Sequence, residues 1–190
     1  MSDTYRLEVA GLVRELPFCK VDDELTIAAF IIFGDVELTM VCARELIKKL
    51  PEYDIIITAE AKGIPLIHEI ARQSGKNHYL VARKEAKVYM PNPVSVDVRS
   101  ITTANEQRLI LDESDMKLMY RKKVLIVDDV VSTGNSIIAV ERLVERSGGF
   151  IAGRAAILAE GASANRSNLI YLQKLPVFNP DHSIKEIGNK

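Results

Sequence analysis

The chain has 190 residues, of which 47% are hydrophobic and 27% are charged, and its formal net charge is −1. This length and this balance are typical of one folded domain with a sizeable apolar core. The near-neutral charge offers no overall attraction to nucleic acid or to an anionic membrane, so neither is an expected partner. Polar N-terminal residues and the lack of an apolar run long enough to span a bilayer favour a cytoplasmic protein.

The two cysteines and three histidines are scattered without the spacing of metal ligands. Cys19 and Cys42 each lie in an apolar stretch, which is typical of buried free thiols. The sequence therefore predicts no metal centre built from protein side chains alone.

Helix and strand patterns alternate from about residue 35 onward. Apolar residues at helical spacing over 36–50, preceded by Asp35 as an N-cap, predict the first helix. A short apolar run over 54–58 predicts a buried strand. A second helix is expected to begin at Gly63, and the run 78–82 predicts the next strand.

The second half of the chain continues the alternation. Residues 94–98 and 107–111 predict the two arms of a hairpin with a long tip, 100–106. A buried strand, a helix and a further strand follow over 123–127, 135–146 and 151–158. Such an alternation predicts an α/β fold with a doubly wound, mainly parallel sheet. Ligands of such sheets bind at the carboxyl ends of the strands, so the loops there form the functional face.

The segment 124–136 contains the residues of this face that are best suited to bind a ligand. It reads Val-Leu-Ile-Val-Asp-Asp-Val-Val-Ser-Thr-Gly-Asn-Ser, which is a buried strand, two adjacent acids and a small polar turn that opens a helix. A helix N-terminus presents unpaired N–H groups and suits a phosphate. Gly134 lets the backbone approach an anion closely, while Thr133 and Ser136 add hydroxyl donors.

Two acids are unusual beside a phosphate site because like charges repel. Asp128 and Asp129 make sense if the ligand also offers hydroxyl groups, since a carboxylate accepts hydrogen bonds from a vicinal diol such as that of ribose. The alternative is a strand whose acids only cap the next helix, but capping requires neither the acid pair nor the glycine.

This segment resembles the motif by which type I phosphoribosyltransferases bind phosphoribosyl pyrophosphate (PRPP). The resemblance implies the fold of that family, and it implies that Asp128 and Asp129 are catalytic residues that contact the ribose hydroxyls. It also implies that the 5′-phosphate is wrapped by Val131, Ser132, Thr133, Gly134, Asn135 and Ser136.

Two further turns resemble those that hold pyrophosphate in the family. The turn 60–63 stands at the pyrophosphate loop, where the family often has a non-proline cis peptide, expected here at Ala61–Lys62. The turn 83–87 matches the Arg-Lys-x-x-Lys of adenine phosphoribosyltransferases. An ordinary turn and a solvated basic turn remain the respective alternatives. The implied PRPP-binding residues in these turns are Ala61, Lys62, Gly63, Arg83, Lys84 and Lys87.

The tip 100–106 matches the flexible catalytic loop of the family in position. It lacks the glutamate, tyrosine and glycine of the adenine enzymes and is closer to the loop of xanthine phosphoribosyltransferase. Thr102 stands at the matching site, and Glu106 is the acid that would replace the glutamate. Both are therefore candidate catalytic residues.

The resemblance also implies how the chain is organised. One phosphoribosyltransferase domain would span 1–190, with its core at about 35–160. The remaining segments, about 1–34 and 161–190, would form a small hood over the base. Family positions in and beside this hood imply that Leu25, Thr26 and Glu160 bind the purine.

Two positions bear on the choice of purine. Ser132 stands where hypoxanthine-guanine enzymes have an aspartate, and Gly161 stands where xanthine enzymes have a lysine. Adenine is therefore the favoured acceptor. The resemblance then implies purine salvage from PRPP and a purine base, with Mg²⁺ as the cofactor and a homodimer in which 83–87 faces the neighbouring site.

Two other functions stay open. One is a xanthine or other 6-oxopurine phosphoribosyltransferase. The other is a PRPP-sensing regulatory protein without turnover, because 63–66 and 159–161 resemble the effector domain of the bacterial purine operon repressor. This chain has only about 50 residues before its first core strand, and they are not basic, which leaves no room for that repressor's DNA-binding domain.

Overall fold

A computed structural model describes residues 4–98 and 107–186 of the chain. The strands are β1 (Thr4–Val9), β2 (Leu12–Lys20), β3 (Thr26–Ala28), β4 (Ile55–Ala59), β5 (Leu80–Ala82), β6 (Pro93–Val98), β7 (Gln107–Asp112), β8 (Lys123–Val131), β9 (Phe150–Glu160), β10 (Ile170–Leu175) and β11 (Val177–Phe178). The α-helices are α1 (Val36–Ile47), α2 (Ile64–Gln73), α3 (Glu113–Met119) and α4 (Asn135–Arg146). A short 3-10 helix, Gly161–Asn165, follows β9.

The described residues contain a parallel central sheet with the strand order β10-β9-β8-β4-β5. Helices α1 and α2 pack on one face, and α3 and α4 pack on the other. Because both faces are covered, β4 and the first half of β8 are continuous apolar runs. This arrangement confirms the predicted α/β class.

The two principal helices lie where their patterns predict them. The carboxylate of Asp35 accepts a hydrogen bond from the backbone N–H of Leu38 at 3.0 Å, and this caps α1 as expected. Helix α1 ends at Ile47, three residues before the end of the predicted range. Helix α4 occupies the predicted range, and its N-cap Gly134 has the left-handed φ of +81°.

Strand β8 is longer than its apolar run indicates. It pairs with β9 as far as Val131 opposite Ala159, so Asp128 and Asp129 lie within the strand and not in the turn after it. Because Asp128 and Asp129 are polar, a hydrophobicity pattern does not show that the strand continues through them. As a consequence, the two acids are held by a sheet, which fixes their positions.

The N-terminal segment forms an antiparallel sheet of β1, β2, β3 and β11 that the sequence patterns did not indicate. The C-terminal segment is shared between two sheets, because β10 pairs with β9 while β11 pairs with β3. Cys42 is buried as expected, but Cys19 is exposed because it lies on the outward face of β2.

The predicted hairpin is present as β6 and β7. It is attached to the central sheet because Arg83 and Ile110 exchange two backbone hydrogen bonds of 2.8 Å. Thr102 and Glu106, in the tip between the arms, lie outside the described residues. Within the described ranges no helix combines the length and the apolar character needed to cross a membrane.

Candidate functional site

A cavity of about 290 Å³ lies at the carboxyl ends of β4 and β8. These two strands are neighbours in the sheet, so the residues that follow them converge. Several residues predicted from distant parts of the sequence line this cavity together: Ala61, Lys62, Lys84, Asp128, Asp129 and Ser136.

A smaller cavity of about 40 Å³ adjoins the first, since Asp128 and Ser136 line both. Its wall is the loop 131–136, which leads from β8 into α4. The positive φ of Gly134 turns the chain so that the loop closes around the cavity and α4 begins at Asn135. Free N–H groups at a helix N-terminus favour an anion, so this loop is suited to a phosphate.

Both acids line the larger cavity and Asp128 also lines the smaller one; Asp129 is buried and Asp128 is half-buried. The carboxylate Oδ1 of Asp128 accepts a hydrogen bond from the backbone N–H of Asp129 at 2.9 Å. Burial, followed by the neighbouring charge of Asp129, raises the pKa of Asp128 well above its usual range. The positive charge of Lys62 opposes this rise only in part.

Asp129 is 2% exposed, and its Oδ2 atom lies 3.1 Å from Nζ of Lys62. The distance is that of an ion pair, but the direction of approach does not make a hydrogen bond. Oδ2 is consequently a buried acceptor with no hydrogen-bond donor among residues 4–98 and 107–186. Such an atom is suited to a hydroxyl or cation of a ligand.

The turn after β4 approaches the acid pair closely because Gly63 has no side chain. A Cβ at Gly63 would lie 2.1 Å from Oγ1 of Thr58 and 3.2 Å from Oδ1 of Asp128. This turn contains a non-proline cis peptide, as expected. The bond is Glu60–Ala61, however, and not Ala61–Lys62.

The basic turn after β5 is tied to the same region through Glu60. The carboxylate of Glu60 lies 3.2 Å from Nη2 of Arg83 and accepts a hydrogen bond from the backbone N–H of Lys84 at 3.0 Å. Lys84 lines the larger cavity. Lys87 pairs with Glu85 at 3.5 Å and is not among the residues that line the cavity.

The three purine-binding candidates lie in two places. Thr26 begins β3 of the N-terminal sheet, where it is buried opposite Phe178, and Leu25 lies just before that strand; neither lines the cavities described above. Glu160 ends β9, and burial raises its pKa while the charge of Lys62 opposes the rise. Nζ of Lys62 also lies 3.5 Å from the carbonyl oxygen of Phe30, which connects the N-terminal segment to the site.

The sequence patterns missed one cation beside the phosphate-type loop. Arg166 follows the 3-10 helix, and its guanidinium lies against Gly134. A weak signal was present, because residues after the carboxyl end of a parallel strand are expected on the functional face, and Arg166 follows β9.

Comparison with known proteins agrees with this geometry. Residues 38–178 match the family model described as "Phosphoribosyl transferase domain". The chain therefore belongs to the phosphoribosyltransferase family, and its central sheet and phosphate-type loop are those of a member of that family.

Individual relatives show where the similarity lies. The chain is 30% identical over 126 residues to adenine phosphoribosyltransferase of Bifidobacterium animalis subsp. lactis, a match that covers 64% of this chain and 62% of that protein. It is 31% identical over 106 residues to hypoxanthine/guanine phosphoribosyltransferase of Methanocaldococcus vulcanius, covering 56% and 54%. The match thus spans less than two thirds of the length of both relatives.

A solved structure shows the same fold at lower identity. The crystal structure of adenine phosphoribosyltransferase from Thermoanaerobacter pseudethanolicus superposes with a TM-score of 0.63 at 22% identity. The superposition covers 75% of this chain and 84% of that one.

Proposed function

We propose that this protein is a purine phosphoribosyltransferase that transfers the 5-phosphoribosyl group of PRPP to a purine base, with adenine favoured. The products are a nucleoside monophosphate and pyrophosphate. The observation that carries the proposal is the position of Asp128 and Asp129, which lie in one continuous site between an anion-binding loop and the turn that bears Lys62.

Each part of PRPP has a matching part of this site. The loop 131–136 supplies N–H groups and hydroxyls for the 5′-phosphate. The buried acceptor on Asp129 and the neighbouring carboxylate of Asp128 suit the ribose hydroxyls. Lys62 and Lys84 supply positive charge for the pyrophosphate on the other side of the acids.

The residues present also fit Mg²⁺ as a companion of the substrate. No cluster of three metal-binding side chains occurs in the part of the chain that the structure describes. Mg²⁺ is commonly held by one or two carboxylates together with substrate phosphates, and Asp128 and Asp129 offer such carboxylates. When bound, Mg²⁺ would neutralise charge that develops on the leaving pyrophosphate.

The residues of this chain act mainly by position and charge. Transfer breaks the bond between ribose C1 and pyrophosphate while positive charge develops on the sugar ring, and buried carboxylates stabilise such a charge. The phosphate loop and the acids would hold the sugar so that the base attacks from the opposite side. Thr102 and Glu106, in the tip of the hairpin, are proposed to cover the reacting centre and exclude water.

Adenine is favoured because of the sequence relatives and because of Glu160. An ionised carboxylate accepts a hydrogen bond from an exocyclic amino group such as that of adenine, whereas a 6-oxo group is itself an acceptor. Leu25 and Thr26 remain proposed contacts from the hood. The similarity to the hypoxanthine/guanine enzyme of M. vulcanius supports a 6-oxopurine acceptor as the second candidate.

A homodimer is proposed because an apolar surface precedes and includes α1. Ile31, Phe33, Val36 and Met40 are between 45% and 68% exposed, which is unusual for large apolar side chains so close together in the chain. We expect the mass in solution to be that of two chains and the substitution Phe33→Glu to halve it. A wild-type monomer at micromolar concentration would rule out this assembly.

The proposed activity is tested by incubating the protein with PRPP, Mg²⁺ and adenine, hypoxanthine, guanine or xanthine in turn while pyrophosphate release is followed. We expect release with adenine above the other bases. The double variant D128N/D129N is the matched control and should neither bind PRPP nor release pyrophosphate. Binding of PRPP without release for any base would favour the PRPP-sensing alternative.

A further inference from the structure

The guanidinium of Arg166 occupies the space where a side chain at Gly134 would lie. A Cβ built on Gly134 would be 1.9 Å from Nη1 and 2.7 Å from Cζ of Arg166. Gly134 is therefore required here for two reasons, since its φ of +81° disfavours a side chain and the guanidinium leaves no room for one. The arginine thus lies directly against the loop that encloses the smaller cavity.

The charges around this loop leave an anion poorly neutralised without Arg166. The loop 131–136 contains no lysine or arginine, and only Val130 separates it from Asp128 and Asp129. A helix N-terminus contributes about half of a positive charge, whereas a phosphate monoester carries nearly two negative charges at neutral pH. Lys62 is engaged with Asp129.

No anionic side chain of the described residues pairs with Arg166. Across residues 4–98 and 107–186, its half-buried guanidinium makes no hydrogen bond and no ion pair with another side chain. A guanidinium offers five donors in a planar fork that matches the oxygens of a phosphate. A half-buried, unpaired arginine beside an anion-binding loop is consistent with a ligand that supplies the missing charge.

The backbone next to Arg166 is held against the loop 131–136. The hydroxyl of Ser163, which is 3% exposed, lies within hydrogen-bonding distance of the carbonyl oxygens of Val131 and Glu160. The hydroxyl of Tyr171 donates to the carbonyl oxygen of Ala164 at 3.0 Å. The backbone just before Arg166 is thereby held on both sides, which keeps this residue beside the loop.

We propose that Arg166 is a binding residue for the 5′-phosphate, and this inference rests on the proposed function. The loop 131–136 encloses the phosphate, and the guanidinium of Arg166, which lies against Gly134 of that loop, contacts it as well. This residue would select ligands that end in a phosphate monoester at the ribose 5′ position. It would not contribute to binding of free pyrophosphate, which lies beyond the acid pair near Lys62.

The test measures the affinity of ribose 5-phosphate, PRPP and pyrophosphate by calorimetry for wild type, R166A, R166Q and R166K. We expect R166A and R166Q to weaken ribose 5-phosphate and PRPP by about 10- to 100-fold, the usual contribution of hydrogen bonds to a charged group. R166K should lie between these variants and wild type because it keeps the charge but not the fork. Affinity for pyrophosphate should change by less than about twofold.

Arg44→Ala is the matched control, because Arg44 is an exposed arginine on α1 and pairs only with the adjacent Glu45 among the described residues. It should bind all three ligands as wild type does. Unchanged binding of ribose 5-phosphate by folded R166Q, or an equal loss for ribose 5-phosphate and pyrophosphate, would overturn the assignment of Arg166. If wild type binds neither PRPP nor ribose 5-phosphate, the proposed function itself fails.

Discussion

Nζ of Lys62 lies 3.1 Å from Oδ2 of Asp129, so the turn after β4 and the end of β8 are joined by an ion pair across the site. Asp129 is almost fully buried, while nearly half of the Lys62 side chain is exposed. The lysine therefore balances a buried charge and still reaches the open side of the cavity.

Replacing Lys62 by methionine keeps the length of the side chain and removes its charge. We expect K62M to weaken pyrophosphate and PRPP by about 10-fold or more, because a charge-assisted contact is lost. Ribose 5-phosphate should be affected much less, since its phosphate is proposed to bind at 131–136. Calorimetry with the three ligands measures this pattern. K49M is the control, because Lys49 is an exposed lysine that lies just after the C-terminal end of α1. An equal loss for all three ligands would contradict it.

The pKa of Asp128 leads to a prediction about stability and pH. This pKa is raised in the folded protein by burial and by Asp129, so the unfolded chain binds fewer protons than the folded chain above the ordinary pKa of 3.8. Asp128 therefore destabilises the fold progressively as the pH rises from about 4 through the folded-state pKa. We expect D128N to have a higher Tm than wild type at pH 7.5, with a difference that shrinks towards pH 4.

Thermal unfolding over this pH range measures the effect. Asp97→Asn is the control, because Asp97 is an exposed aspartate that lies outside the site and pairs with Arg108. A D128N variant that is less stable than wild type by a constant amount at every pH would show that the carboxylate does not carry the destabilising charge.

Gly63 is expected to be sterically required. Its φ of −69° suits any residue, so a loss of stability in G63A reports only the contact of the new Cβ with Thr58. Overpacking of this kind costs about 1–3 kcal/mol in the free energy of unfolding. T58A removes Oγ1, so the double variant G63A/T58A should recover part of the loss. Denaturant unfolding of the four proteins measures the coupling, and strictly additive effects would contradict the proposed clash.

The hairpin is expected to depend on two arginines of α4. Nη1 of Arg142 donates a hydrogen bond to the carbonyl oxygen of Asp97, and Nη1 of Arg146 donates one to that of Ser95, each at 3.1 Å. R142A/R146A should increase hydrogen exchange of β6 and β7 by about 10-fold or more while β8 is unchanged, since each bond contributes about 1 kcal/mol. R121A is the control. Unaltered exchange in both arms would show that the arginines do not hold the hairpin.

Much of the fold was predictable because its signals are local. The strand at 123–127 is a continuous apolar run, and the helix at 135–146 has one apolar face, so each pattern identifies its element without knowledge of its neighbours. The loop 131–136, the proposed phosphate site, was equally predictable because all its residues are adjacent in the chain. Its suitability for an anion follows from its place before a helix, where backbone N–H groups are free.

Other elements were missed because their signals are weak. Helix α3 has only seven residues and two buried apolar side chains, which is too little for a clear helical pattern. The strands of the N-terminal sheet are short or half-exposed, and the two-residue strand β11 forms by pairing with β3, which is distant in the chain. Such pairing is decided by tertiary contacts and not by local preference.

By itself, the sequence determined the α/β alternation and the residues of the loop that follows the apolar run 123–127, since both depend on neighbours in the chain. Only the tertiary structure decided that Lys62 meets Asp129 and that Arg166 covers Gly134. These pairs join segments separated by more than thirty residues, and their contact depends on strand order and register. The electrostatic energy of a charged side chain depends on its burial and on its distance to other charges. The tertiary structure therefore decides whether such a side chain is paired or is available to a ligand.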